Sequence, residues 1–203
     1  MTPAAARTRL SRGLPRLVAA LVAGLLLAAC SPNQLPFKGA DITGSGYGQT
    51  WKLIDGTGQQ RGVTDYQGKV LLVYFGFTHC PDICPATLGH LKDVLRLLGD
   101  KADQTQVLFV TVDAENDTPT ALAKYLESFG PHFTGLSGSA AALEAAAKDF
   151  RVYAKNTSAG QGVAFEHAGF VYALDRQGKP RVLYGPETPP QDIASDVSRL
   201  LSQ

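Results

Sequence analysis

Apolar and polar positions along this chain alternate between two rhythms. Val70 to Phe77 is a continuous apolar run, and Leu88, Leu91, Leu95 and Leu98 then repeat at three and four. The first reads as a buried strand and the second as one face of an amphipathic helix. Val107 to Val112 is another apolar run, consistent with a buried parallel strand, and it ends at Asp113. Asp117 or Thr118 caps the next helix, with Pro119 in its first turn. That helix carries Leu122, Tyr125, Leu126 and Phe129. An alanine-rich helix from Ala140 to Phe150 follows, then a short strand from Arg151 to Ala154 and a polar loop over 156–162. Phe165 to Leu174 and Arg181 to Tyr184 flank Asp175-Arg176-Gln177-Gly178-Lys179-Pro180, a hairpin signature. A last helix runs from Gln191 to Leu201. Upstream, Trp51 to Ile54, Asp55-Gly56 and Arg61-Gly62-Val63 predict an N-terminal hairpin. Strands alternating with helices predict an α/β sheet with helices on its faces.

The first thirty residues follow another pattern. Arg7, Arg9, Arg12 and Arg16 form a basic region, and Leu17 to Ala29 is apolar but short for a bilayer span. It closes on Leu27-Ala28-Ala29-Cys30, which resembles a bacterial lipobox. Residues 1–30 are therefore expected to be a lipoprotein signal peptide, with Cys30 lipidated. An uncleaved anchor helix is the other reading, and both place the domain outside the cytoplasm on a membrane, facing the periplasm or cell exterior. Residues 31–48, rich in Pro, Gly and Ser, read as a flexible tether, and 49–203 as one domain. Gly44, Gly46 and Gly48 follow no strand and open no helix, so a phosphate-cradling loop is not expected. The chain has 203 residues and a formal net charge of +1, with no basic stripe to suit nucleic acid.

Chemistry gathers where the first buried strand meets its helix. The chain has three cysteines. With Cys30 assigned to lipid, Cys80 and Cys84 remain, on a loop entering a helix N-terminus. That position favours negative charge and is expected to lower a thiol's pKa. A structural disulfide closing so short a loop would contribute at most roughly 2 kcal/mol, which argues for reactivity or ligation instead. Three residues, Pro81, Asp82 and Ile83, separate the sulfurs, where a thioredoxin redox site has two. Two thiols are too few for a structural zinc site, whereas two thiolates and an imidazole suit Cu(I). Four histidines compete for the imidazole role: His79 beside Cys80, His90 on a polar helix face, His132 in a turn, and His167 at a strand start. Periodicity does not choose among them. Asp82 reads as a turn former. Asp113, at a strand end, either supports the site as a carboxylate beside the ligands or caps the loop that follows.

The block Tyr74-Phe75-Gly76-Phe77-Thr78-His79-Cys80-Pro81-Asp82-Ile83-Cys84-Pro85 resembles the cysteine motif of the Sco/SenC family of copper chaperones. Val112 to Pro119 resembles that family's acidic strand-end segment, and Glu166-His167 with Tyr172, Asp175 and Gly178 resembles its histidine hairpin. The resemblance runs from about Gly48 onward. Asn116, Ala168 and Arg176 stand where the family commonly has arginine, serine and proline. The resemblance implies a thioredoxin-like fold, a central mixed sheet with helices on both faces. It implies one copper ion, Cu(I) or Cu(II), held by Cys80, Cys84 and His167, with Asp113 behind them. It implies delivery of copper to the dinuclear centre of cytochrome c oxidase. Expected partners are the oxidase's copper-centre subunit, a periplasmic thiol reductant and another copper chaperone. The same dithiol also supports a thiol–disulfide reductase that keeps the oxidase subunit's cysteines ready for metal, or a redox or copper sensor.

Overall fold

Two neighbouring strands, β4 (Val70–Gly76) and β5 (Thr105–Thr111), are buried at every position. They pair in parallel from Val70↔Thr105 to Gly76↔Thr111. Side chains alternate between the faces of a strand, so a continuous apolar run requires cover on both sides. That cover is present. Val70, Leu72 and Tyr74 join one core with Val107 and Phe109, whereas Leu71, Val73 and Phe75 join another with Leu108 and Val110.

The computed structural model describes residues 36–156, 163–166 and 169–203. Phe37–Gln203 forms one compact unit. Its remaining elements are β1 (Ala40–Asp41), β2 (Lys52–Asp55), β3 (Gln60–Gly62), α1 (Ile83–Leu98), α2 (Pro119–Leu126), β6 (Phe133–Ser137), α3 (Ala140–Asp149), β7 (Tyr153–Asn156), β8 (Val163–Glu166), β9 (Val171–Leu174), β10 (Pro180–Tyr184) and α4 (Pro190–Leu201). Among the described residues the main sheet has the order β1-β10-β9-β4-β5-β6-β2-β3, and β7 pairs with β8 in a separate ribbon. Strands β4, β5 and β6 are parallel, and β9, β10 and β2 run antiparallel to their neighbours, so the sheet is mixed. Helices α1, α2 and α4 supply the first core, with Leu88, Leu91, Leu122 and Val197 fully or almost fully buried. Helix α3 supplies the second through Leu143 and Ala146, with Trp51, Phe150 and Tyr172.

Three features depart from the sequence reading. Strand β6 was not expected. Phe133-Thr134-Gly135-Leu136-Ser137 has no clear period, and Gly135 weakens it further. The glycine is what its packing needs, because a Cβ there would lie 2.7 Å from Leu122 Cβ on α2. The expected strand Phe165–Leu174 is two strands in different sheets, β8 and β9, with Gly169 at φ 90° before the second. Residues 37–48, expected as tether, lie on the domain. Strand β1 pairs with β10, and Gly48, at φ 64°, packs where a Cβ would strike the Phe150 ring at 2.3 Å.

Candidate functional site

The loop from Phe77 to Asp82 joins the C-terminal end of β4 to the N-terminus of α1. In an open α/β sheet that edge is where ligands bind. Helix α1 starts at Ile83 with Asp82 as its cap residue, whose side chain makes no capping hydrogen bond. Sulfur takes that place, for the Cys84 amide donates to Cys80 Sγ at 3.4 Å. Cys80 and Cys84 are both unbridged and buried. Cys84 is the deeper, 2% exposed against 9% for Cys80. The Tyr74 hydroxyl, rising from β4, donates to Cys84 Sγ at 3.3 Å. Gly76 makes room, because a Cβ there would lie 2.9 Å from Cys84 Sγ and 2.6 Å from Phe109 Cε2.

Burial changes the electrostatics expected of a helix N-terminus. Desolvation pushes the Cys84 thiol up to about 12; the neighbouring Cys80 thiol adds to the rise, and the Tyr74 hydrogen bond opposes it. The lowered pKa expected from the helix N-terminus therefore does not hold at Cys84. Burial likewise pushes the Tyr74 hydroxyl strongly upward, so Tyr74 remains a donor across the physiological range.

The loop is held from a distance. Asp117 is wholly buried. Its carboxylate accepts from the Thr78 amide at 2.9 Å, the Thr78 hydroxyl at 2.5 Å and the Thr111 hydroxyl at 2.6 Å. Its own carbonyl accepts from Ser137 Oγ at 2.6 Å. One residue thus ties the cysteine loop to the ends of β5 and β6. Thr118 is the cap of α2, accepting from the Ala121 amide at 3.2 Å with Pro119 in the first turn, which leaves Asp117 free to turn inward. Asp113 accepts from the Asn116 amide and side chain, at 3.2 and 2.8 Å for the shorter contacts, closing its own loop.

Of the residues singled out from sequence, Cys80 and Cys84 come together. His79 is exposed, its Nδ1 3.2 Å from Thr78 Oγ1. His90 is exposed on α1, and His132 lies 3.5 Å from Asp103. His167 and Cys30 lie outside the described residues. Gly169, two positions after His167, is described. A Cβ on it would lie 2.8 Å from Pro186 Cβ and 3.5 Å from Ile83 Cδ1, so Gly169 lies close to one of the three residues between the cysteines. Among the described residues, no three His, Cys, Asp or Glu side chains gather as a metal site. Sequence reasoning missed Tyr74, Gly76 and the inward role of Asp117. Tyr74 is hidden in an apolar run, and Asp117 shares its segment with two other acidic residues.

Residues 40–202 match the family model described as SCO1/SenC. A mitochondrial SCO2 homolog of Danio rerio is 42% identical over 130 residues, which is 62% of this chain and 47% of the relative. The chain thus spans about half the length of that relative. Copper-bound ScoI of Bradyrhizobium japonicum has 35% identity and a TM-score of 0.68, over 76% of this chain and 99% of that one. Apo Sco1 of Thermus thermophilus has 30% identity and a TM-score of 0.71, over 83% and 99%. The mixed sheet matches these thioredoxin-like structures. With the cysteine loop, the sheet and the match over 40–202 agreeing, the chain belongs to the SCO1/SenC family.

Proposed function

We propose that this protein is a membrane-tethered copper chaperone for the dinuclear copper centre of cytochrome c oxidase, anchored through Cys30 on the periplasmic or exterior side. It holds one copper ion through Cys80, Cys84 and His167. The observation that carries the reading is the pair of unbridged, buried thiols at the head of α1. Soft sulfur donors select Cu(I) over hard cations. The nearby carboxylates are engaged elsewhere, Asp113 with Asn116 and Asp117 with Thr78 and Thr111. What the site offers a metal is therefore sulfur. The histidine assignment draws on the family resemblance. Copper entry requires both thiols to lose their protons to solvent, which metal binding drives. A partner that supplies its own ligands then takes the ion on. Asp113 closes its own loop through Asn116, and the support behind the ligands comes from Asp117, which holds Thr78.

The same unbridged pair also fits a thiol–disulfide reductase acting on the oxidase subunit, and one variant separates the two. An anaerobic Cu(I) titration of the reduced protein gives one ion per chain on the chaperone reading. His167→Ala then lowers Cu(I) affinity, read by competition with a chelator, by more than the ~10–100-fold of a residue that only supports a ligand. Exchange with a small disulfide is little changed, since both sulfurs and the helix N-terminus remain. The reductase reading gives the reverse, slowed exchange with unaltered affinity. Copper affinity that survives the substitution intact removes His167 from the ligand set.

A further inference from the structure

Residues 37–48 lie on the domain, yet the two parts of this segment are held differently. The first part is latched at its start. Asp196, on α4 and 2% exposed, accepts from the amides of Lys38 and Gly39 at 2.8 and 3.2 Å through one carboxylate oxygen. Gly39 lies so close to β10 that a Cβ on it would be 2.6 Å from Tyr184 Cδ1 and Val182 Cγ1. Arg199 and Arg181 lie over the Phe37 ring, their guanidinium carbons 4.3 and 5.6 Å from its centroid. After this latch comes β1, two residues at the edge of the sheet, and the Ile42 amide donates to the Arg181 carbonyl at 3.0 Å. The next residues stand off the domain. Gly44 and Gly46, at φ 80° and 74°, have open space where a Cβ would stand. With Gln49 and Lys179 they line an open cleft of about 560 Å³. Gly48 is fixed again, its amide donating to the Asp149 carbonyl at 3.2 Å. Two unsupported glycines between fixed ends are a place where the backbone can turn at little steric cost.

We propose that residues 37–43 form a detachable strap, hinged at Gly44–Gly46 and latched by Asp196, which sets how far the domain reaches from its anchor. The strap can leave without opening either core. Phe37 and Ile42 are only partly buried against the two cores, and β10 keeps its pairing with β9. Asp196 would then face water instead of the two amides, so its charge is not stranded in a dry site. With the strap latched, residues 31–36 connect Cys30 to the domain, and six residues span at most about 22 Å. With the strap released, the connection runs to Gly46, and sixteen residues span at most about 58 Å. A latched domain hands copper only to a partner close to its anchor, whereas a released one reaches further. The reach rests on the anchor at Cys30 proposed above; the latch does not.

Hydrogen exchange of the full chain in detergent, read by mass spectrometry over residues 38–43, tests the latch. Gly39→Ala pushes the strap off β10 from the strap's own side and leaves every core side chain in place. Asp196→Ala removes the acceptor from the other side. Each should speed exchange over 38–43 about tenfold or more, while β4 and β5 exchange as in the wild type. Unchanged exchange of the strap in either variant overturns the proposal. So does a Gly39→Ala protein without a cooperative melt, because the segment would then be part of the fold and not attached to it. Should Asp196→Ala fail to fold, Gly39→Ala decides alone. Reach is read on the lipid-anchored chain in vesicles with dansyl-labelled headgroups, by energy transfer from Trp51, the single tryptophan. Transfer should fall in Gly39→Ala, and transfer equal to the wild type's would deny the strap any part in reach. A chain whose mass shows no lipid on Cys30 removes the anchor, and the reach with it, and leaves the latch to stand or fall on the exchange result.

Discussion

The turn at Asp55 and the loop at Thr78 are each tied down by a buried carboxylate, but the two carboxylates reach their targets by different routes. Asp55 works within its own hairpin. It accepts from the amides of Thr57 and Gln59 at 2.8 and 3.1 Å and from Arg61 Nε at 2.6 Å. The hairpin between β9 and β10 repeats the device. Asp175 accepts from the amides of Gln177 and Lys179 at 3.0 and 2.9 Å and from Arg181 Nη1 at 3.2 Å. Gly58 and Gly178 occupy the same place in the two turns, at φ 81° and 75°. Every partner lies within six residues, so these turns close from local chemistry. The cysteine loop has no such closure. Its Thr78 is held by Asp117, 39 residues away. Local turns can form before the domain does, whereas the cysteine loop takes shape only once β4, β5 and the start of α2 are assembled. The metal-site geometry is thus a property of the folded sheet edge.

The comparison breaks most visibly at Asp117. Asp117→Ala strands the half-buried Thr78 amide and hydroxyl and the buried Thr111 hydroxyl, and should cost about 3 kcal/mol. The shift of the denaturant midpoint at constant slope measures it. Cys80 and Cys84 should also react faster with a thiol reagent. A loss below about 1 kcal/mol with unchanged thiol reactivity would mean that the loop closes itself. Gly76→Ala comes next, since its Cβ meets Phe109 and Cys84 Sγ below 3 Å. Overpacking of this kind costs about 1–3 kcal/mol. Denaturation together with the reaction rate of Cys84 reads both effects, and an unchanged protein in both assays would deny that Gly76 makes room for the sulfur. Smallest is the acid limb of stability at Asp55. Burial works to raise its pKa, but hydrogen bonds from Thr57, Arg61 and Gln59 together outweigh it and hold the carboxyl at about 2. A depressed carboxylate stabilises the fold above its unfolded pKa, 3.8, and that contribution is lost as pH falls through about 2. Asp55→Asn should therefore flatten the loss of melting temperature between pH 4 and 2. An acid limb as steep as the wild type's would assign that loss to other carboxylates.

Much of the chain was legible from its own pattern. The apolar runs gave β4 and β5, and the three-four spacing of leucines gave α1. The Asp175–Gly178 signature marked its hairpin, and Thr118-Pro119 marked the start of α2. Each of these signals acts within about one turn of chain, through caps, turn hydrogen bonds and periodic burial. The two cysteines at the strand–helix junction were legible for the same reason. The three-dimensional arrangement decided the rest. Strand β6 exists because β5 and β2 flank it, with Gly135 admitting α2. Residues 37–48 join the domain because β10 offers them an edge. The Cys84 thiol rises in pKa because burial strips it of water and Cys80 lies beside it, which outweighs the Tyr74 hydrogen bond and the helix N-terminus that sequence could see. Asp117 and Tyr74 meet the site from two separate elements. The distance of Asp117 from the cysteines along the chain carries no information, because only the parallel pairing of β4 with β5 brings it to their sheet edge.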